Sequence, residues 1–289
     1  MGRTLALLLF IGVAAVQTAA PSDQFFDSAG VRIRYLEQGV GTPVVLLHGY
    51  TGTVDRQWMA NGVFAELAKD HRVIAFDLRG HGKSDKPRDP TAYGEEMARD
   101  VVRLLDHLQI SRAHIVGYSL GAIVAARMVA LAPDRMMSAA FIGRHPQRPL
   151  TPKEVEEMEA SVRELEGDMP FRSLAVGVQA PGSKPLTDDE IRRLVAPLVA
   201  ANDVRALAAM FRGFSTLAIE DQALSASRVP MIEIIGTEDP NHPAALELQK
   251  AHPEIATFIV KGAQHGGEQG ILRRPEAIAR LREFLSTAR

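Results

Sequence analysis

The chain of 289 residues contains no cysteine. That single absence removes structural disulfides, thiolate metal sites, a cysteine nucleophile and a lipoprotein anchor. An excess of one charge is also missing. The 33 Lys and Arg nearly balance the 35 Asp and Glu, leaving a net charge of −2 and no electrostatic footprint for nucleic acid. Internal repeats and low-complexity linkers are absent as well. Tyrosine is scarce, with four residues, Tyr35, Tyr50, Tyr93 and Tyr118, and none of them lies between 144 and 228.

The one long apolar run sits at the N-terminus. Arg3 precedes Leu5 to Val16, and Gln17-Thr18-Ala19-Ala20 supplies small residues for cleavage. The run is too short to span a bilayer comfortably, which takes about 20 residues. The pattern is that of a signal peptide over residues 1–20, with the cut site left open because Pro21 follows it. A secreted or periplasmic location is the expectation, with no stable membrane span after cleavage. Export without cysteine is physically permitted, because a large core needs no disulfide staple.

Apolar residues make up 46% of the chain, enough for a buried core. Short apolar runs alternate with amphipathic stretches. Val31 to Leu36 alternates like an edge strand. Val44 to Leu47 and Val73 to Phe76 are continuous runs, as expected of strands buried on both faces. Glu95 to Leu108 carries a helical apolar face of Met97, Val101, Leu104, Leu105 and Leu108. The rhythm returns after residue 229, with runs at Met231–Ile235 and Thr257–Val260 and helices around Ala244–Ala251 and Pro275–Ser286. This order predicts a doubly wound, mostly parallel α/β sheet. Residues 144–228 break the rhythm with proline-punctuated helical segments, read as a lid inserted between core segments 21–143 and 229–289.

Gly117-Tyr118-Ser119-Leu120-Gly121 carries the chemistry. It follows the apolar strand Ala113 to Val116 and precedes the helix former Ala122 to Ala130. A serine on such a strand-to-helix turn is pushed out of the sheet, where a base can reach it. The flanking glycines avoid clashes with the neighbouring helix and strand. His265, in a glycine-flanked loop after the last strand, is the expected base. His48, His81, His107, His114, His242 and His252 are placed less well. Asp239, after the strand ending at Ile235, is the expected orienting acid, with Glu238 as the competing carboxylate. Asp77 reads as a salt-bridge partner for the turn at Arg79. The oxyanion hole is assigned to the backbone N–H groups of Leu120 and Tyr50. Arg144, His145 and Arg148 follow a strand end, where a cation could meet an acidic substrate, though solvation is the simpler reading. Bulky lid residues Leu174, Met210 and Phe214 are expected to shape the acyl pocket.

Taken together, Leu47-His48-Gly49, Asp77 to Asp85, Gly117 to Gly121, Gly236 to Asp239 and Gly262 to His265 resemble the α/β-hydrolase superfamily, in that family's order. The resemblance implies an eight-stranded sheet with 144–228 as its cap. Epoxide hydrolases and dehalogenases of that fold use an aspartate where Ser119 stands, and epoxide hydrolases add cap tyrosines that are absent here. The extended glycine-rich loop of some lipases is also missing, since Tyr50 follows His48-Gly49. The expectation is therefore a serine hydrolase of a small or medium ester, lactone or related acyl compound. It needs no cofactor or metal and acts as a monomer or weak homo-oligomer. A C–C bond hydrolase using the same residues, or a non-catalytic ligand-binding protein, is the alternative.

Overall fold

The computed structural model describes residues 21–177 and 184–288. The signal-peptide reading falls on residues 1–20, outside the described residues. Eight strands form one sheet: β1 (Gln24–Ser28), β2 (Val31–Gln38), β3 (Thr42–Leu47), β4 (His71–Phe76), β5 (Ala113–Tyr118), β6 (Met136–Ile142), β7 (Met231–Gly236) and β8 (Ala256–Val260). Their spatial order is β1-β2-β4-β3-β5-β6-β7-β8. The β1–β2 and β2–β4 pairings are antiparallel and all the others are parallel.

Helices cover both faces. The core helices are α1 (Val63–Leu67), α2 (Glu95–His107) and α3 (Leu120–Leu131). Between β6 and β7 come α4 (Pro152–Glu166), α5 (Arg172–Gly177), α6 (Asp188–Ala201), α7 (Val204–Gly213) and α8 (Asp221–Ser225). The chain closes with α9 (His242–Ala251) and α10 (Pro275–Thr287). Successive strand residues point to opposite faces, so the two sides of the sheet collect different partners. Val45, Leu47, Ile74 and Phe76 pack with Val101, Leu104 and Ile123 of α2 and α3. Val44, Leu46, Val73 and Ala75 pack with Phe64 and Leu67 of α1 and Leu281 and Phe284 of α10. Burial on both sides is why these strands read as unbroken apolar runs.

The segment between β6 and β7 has a small core of its own, including Val162, Leu165, Phe171, Ile191, Val195 and Leu207. Its helices begin on strong local signals. Thr151 with Glu154 and Thr187 with Glu190 form complete capping boxes at the starts of α4 and α6. Helix α7 ties this layer to the sheet domain: Leu207 and Ala208 face the small core, while Ala209 and Met210 face the main one. Among the described residues no single helix is long and apolar enough to cross a membrane.

Two local expectations fail. Val31–Leu36 is not an edge, because β1 pairs along its outer side. Arg34 on this strand is fully buried, held by Asp23, Asp55 and Asp77. That same arginine is the partner of Asp77, in place of Arg79. The Asp77 carboxylate also accepts the N–H groups of Val54 (2.8 Å) and Lys83 (2.9 Å), which pins two loops beside the strand ends. Arg79 pairs instead with buried Asp100, donating from Nε at 2.7 Å.

Candidate active site

Ser119 follows the last residue of β5 and caps α3. Its backbone sits at φ 54° and ψ −116°, a left-handed conformation that costs a side-chain-bearing residue energy and persists only when its surroundings dictate it. They do so here through close backbone approach. A Cβ on Gly117 would lie 2.1 Å from the Gly121 carbonyl oxygen, and one on Gly121 would lie 2.1 Å from that of Leu47. Both glycines therefore let β3, β5 and α3 meet at the turn. The Ser119 N–H donates to the Ile142 carbonyl of β6 at 2.9 Å, fixing the turn from the other side.

The loops after β7 and β8 bring two more side chains to this point. His265 Nε2 lies 3.0 Å from Ser119 Oγ, and His265 Nδ1 lies 2.7 Å from Asp239 Oδ2. The Asp239 side chain is fully shielded from solvent, whereas His265 is 30% exposed. Asp239 Oδ1 accepts the Asn241 backbone N–H at 2.9 Å, so both carboxylate oxygens are engaged. Glu238, the competing carboxylate, is exposed and makes no bond to His265. Tyr118, the variable residue of the glycine–serine motif, donates its hydroxyl to the His265 carbonyl and packs its ring 5.2 Å from the imidazole.

The Leu120 N–H is the first of α3 and has no intrahelical acceptor by position. The Tyr50 N–H makes no backbone hydrogen bond among the described residues. Its loop is shaped by Gln57, whose side-chain oxygen accepts the Gly49 N–H at 2.8 Å, and by His48, whose Nε2 accepts the Leu78 N–H at 3.0 Å. Burial pushes His48 down and takes His81 to about 3, so both stay neutral and structural.

A cavity of about 640 Å³ is lined by Ser119 and His265 together with Met210, Phe211, Phe214 and Arg144. Leu174 does not line it. That side chain is 42% exposed on α5, because the buried face of the short helix carries Ala175. Arg148, also outside the cavity, pairs with Asp221 on the exposed surface. Arg144 is not solvated as its neighbour is. It donates to Asn241 Oδ1 (2.9 Å) and Gln147 Oε1 (3.1 Å), and its Nε is buried with no partner. Asn241 and Gln147 carried no sequence signal, because neither residue type nor spacing marks a helper that acts on loops distant in the chain. Among the described residues no group of three or more His, Asp or Glu side chains converges as a metal ion would require.

One buried carboxyl stands outside this arrangement. Glu233 on β7 is fully buried with both oxygens unpartnered. Burial, and secondarily the charge of Asp239, push it up to about 8, so it holds its proton at neutral pH.

Comparison with known proteins agrees with this architecture. A family model described as "alpha/beta hydrolase fold" matches residues 42–169. The dihydrolipoyllysine-residue acetyltransferase component of the acetoin cleaving system of Pseudomonas putida is 39% identical over 130 residues, covering 44% of this chain and 34% of that protein. Esterase YbfF of Escherichia coli (strain K12) is 42% identical over 96 residues, covering 33% of this chain and 35% of the esterase. The chain thus spans about a third of the length of these curated relatives. A solved carboxylesterase of the thaumarchaeon Nitrososphaera gargenis superposes with a TM-score of 0.74 at 23% identity, over 92% of this chain and 98% of that one. Its sequence is distant, so it speaks to fold alone. With the sheet order and the serine turn already in place, these matches agree that the chain has the α/β-hydrolase fold.

Proposed function

We propose that this chain is a serine hydrolase of small or medium carboxylic esters or lactones. The observation that carries the reading is the continuous link from Ser119 Oγ through both ring nitrogens of His265 to buried Asp239, at 3.0 and 2.7 Å. A serine hydroxyl is a weak nucleophile without a base, and the base needs an orienting partner. In this reading Ser119 Oγ attacks the substrate carbonyl while His265 Nε2 takes its proton. Asp239 holds the proton on Nδ1, so that Nε2 is free to accept. The oxyanion of the tetrahedral intermediate receives hydrogen bonds from the N–H groups of Tyr50 and Leu120. His265 then returns the proton to the leaving alkoxide, and a water deacylates Ser119 by the same route. The esterase among the relatives supports the ester-hydrolase class, and the lid helices would set the acyl size. The substrate is the small-molecule partner, and the enzyme works as a monomer or weak homo-oligomer. Export to the periplasm or medium is supported by the run from Arg3 to Ala20 alone, and N-terminal sequencing of exported protein tests it.

The deciding experiment is labelling with a fluorophosphonate, combined with a panel of p-nitrophenyl esters of rising chain length. Wild-type protein should label once and turn over short to medium esters. Ser119→Ala should lose both, with kcat down on the order of 10⁴-fold or more. Labelling that survives in a folded Ser119→Ala variant would overturn the assignment.

A further inference from the structure

Arg144 presents a charge that the protein does not neutralise by direct pairing. It lines the same cavity as Ser119 and His265. No carboxylate lies within 4.0 Å of it among the described residues, although most arginines of the chain have such a partner. Its two hydrogen-bonded neighbours, Asn241 and Gln147, are neutral amides that accept from Nη1 and Nη2. A guanidinium has five N–H donors, so several remain, among them the buried and unpartnered Nε–H. A half-buried cation held by neutral acceptors costs desolvation that a ligand anion can offset. Consistently, burial holds the Arg144 guanidinium below its ordinary range.

The other charged groups around the cavity leave this cation available. Glu154 is the N-terminal capping carboxylate of α4, its Oε2 accepting both the N–H and the hydroxyl of Thr151 at 2.8 Å. Glu157 is exposed and lies 3.6 Å from Lys153. His145 is pushed down to about 4, chiefly by burial, and is neutral at physiological pH. Asp239 is committed to His265 and the Asn241 N–H.

We propose that Arg144 is a specificity residue that binds a carboxylate carried by the substrate, so that the enzyme prefers half-esters of dicarboxylic acids, or esters of equivalent anionic acids, over neutral esters of equal length. This rests on the serine-hydrolase reading for its kinetic test but not for its binding test. The planar fork of arginine suits a carboxylate through two parallel N–H···O bonds. The bond from Arg144 to Asn241, whose N–H holds Asp239, fixes the cation relative to the catalytic loop, so an anchored carboxylate would place its acyl carbonyl at a set distance from Ser119.

The experiment compares mono-p-nitrophenyl esters of the glutarate-to-suberate series with the neutral p-nitrophenyl esters of matching acyl length. Wild type should show a higher kcat/KM for at least one half-ester than for its neutral counterpart, with an advantage that shrinks as salt is raised. In Arg144→Gln the ratio of anionic to neutral kcat/KM should fall about tenfold to a hundredfold, the usual scale for a lost charged hydrogen bond. Glu154→Gln keeps the capping box and removes a nearby negative charge, so it should move the ratio the other way. Equal losses on both esters in Arg144→Gln would mean that the arginine only props the loops, and a wild type that prefers every neutral ester overturns the proposal. Calorimetry of the free dicarboxylates with Ser119→Ala protein, with and without Arg144→Gln, reads binding without turnover. Absence of binding to the arginine-containing protein also overturns it. If binding is seen while no ester is hydrolysed by wild type, the hydrolase reading fails and the anion site stands.

Discussion

Asn241 donates its backbone N–H to Asp239 Oδ1 at 2.9 Å, while its side-chain amide donates to the Gly143 carbonyl at 3.0 Å and accepts from Arg144. One residue therefore joins the loop after β7, which carries Asp239, to the loop after β6, which carries Arg144. The carboxylate that orients His265 is itself oriented, with one oxygen facing the imidazole and the other facing Asn241.

Removing only that side chain isolates the bracing. In Asn241→Ala the N–H remains but the two side-chain bonds are lost. The expected result is a folded protein whose kcat on a neutral ester falls by about tenfold, the scale on which a loosened supporting contact acts. Asp239→Asn should cost far more, roughly 10⁴-fold, because the amide favours the wrong imidazole tautomer. Glu238→Gln, on the exposed neighbour, should stay near wild type. If Glu238→Gln were the more damaging of those two, the acid has been misassigned.

Backbone crowding at the serine turn predicts an unusually severe effect from a single methyl group. Gly121→Ala places a carbon 2.1 Å from the Leu47 carbonyl oxygen and 2.8 Å from that of His48, neither of which can swing aside. The variant should lose more than about 3 kcal/mol of stability or fail to accumulate as folded protein. A melting temperature equal to wild type would show that β3 and α3 can part more easily than their contacts suggest.

Substitutions in the helices between β6 and β7 should separate by exposure. Met210→Ala and Phe214→Ala enlarge the cavity and should shift the preferred acyl chain toward longer esters by one or more carbons. Leu174→Ala, on the outer surface, should leave the chain-length profile where it was. A profile that moves with Leu174 but not with Met210 would place the acyl pocket elsewhere.

Stability should peak near pH 6.5, for reasons that lie away from the reacting groups. His81, His114 and His145 are pushed down to about 3, 4 and 4, with burial the leading cause in each. The unfolded chain protonates them from about pH 6.5 downward while the folded chain does not, so stability falls as pH drops through that range. Glu233 works in the opposite sense. Its folded value of about 8 exceeds the reference 4.5, so the unfolded chain releases a proton that the folded chain keeps. Stability then falls with rising pH up to about 8, by at most about 1.4 kcal/mol per unit from this group. Denaturant titrations at pH 6.5 and 8 should show the loss in wild type and a smaller loss in Glu233→Gln. An unchanged pH dependence in that variant would assign the alkaline loss to other groups.

Much of this was legible in the chain because several of its signals are local. The strand–turn–helix frame around Ser119 and the glycine-flanked loop at His265 are contiguous, and the doubly buried strands announce themselves as apolar runs. What was not legible depends on contacts between distant segments. Asp77 looks like the partner of Arg79 until Asp23, Asp55 and Asp77 gather around Arg34. Asn241 and Gln147 look like ordinary loop residues until Arg144 lies between them. Leu174 looks like a lid contact until α5 turns it outward, since an amphipathic helix that short gives too little periodicity to say which side faces in.

His265 is hung from an exposed margin of the sheet. Strand β8 is the outermost strand on its side, and all but its last residue are at least partly open to solvent, with Ile259 40% exposed. Ser119, by contrast, follows β5, which is wholly buried in the middle of the sheet. Fraying that begins at the rim would displace His265 while the interior stays intact. Heating should therefore silence the enzyme some degrees before its secondary structure collapses, and cooling from that interval should bring the activity back.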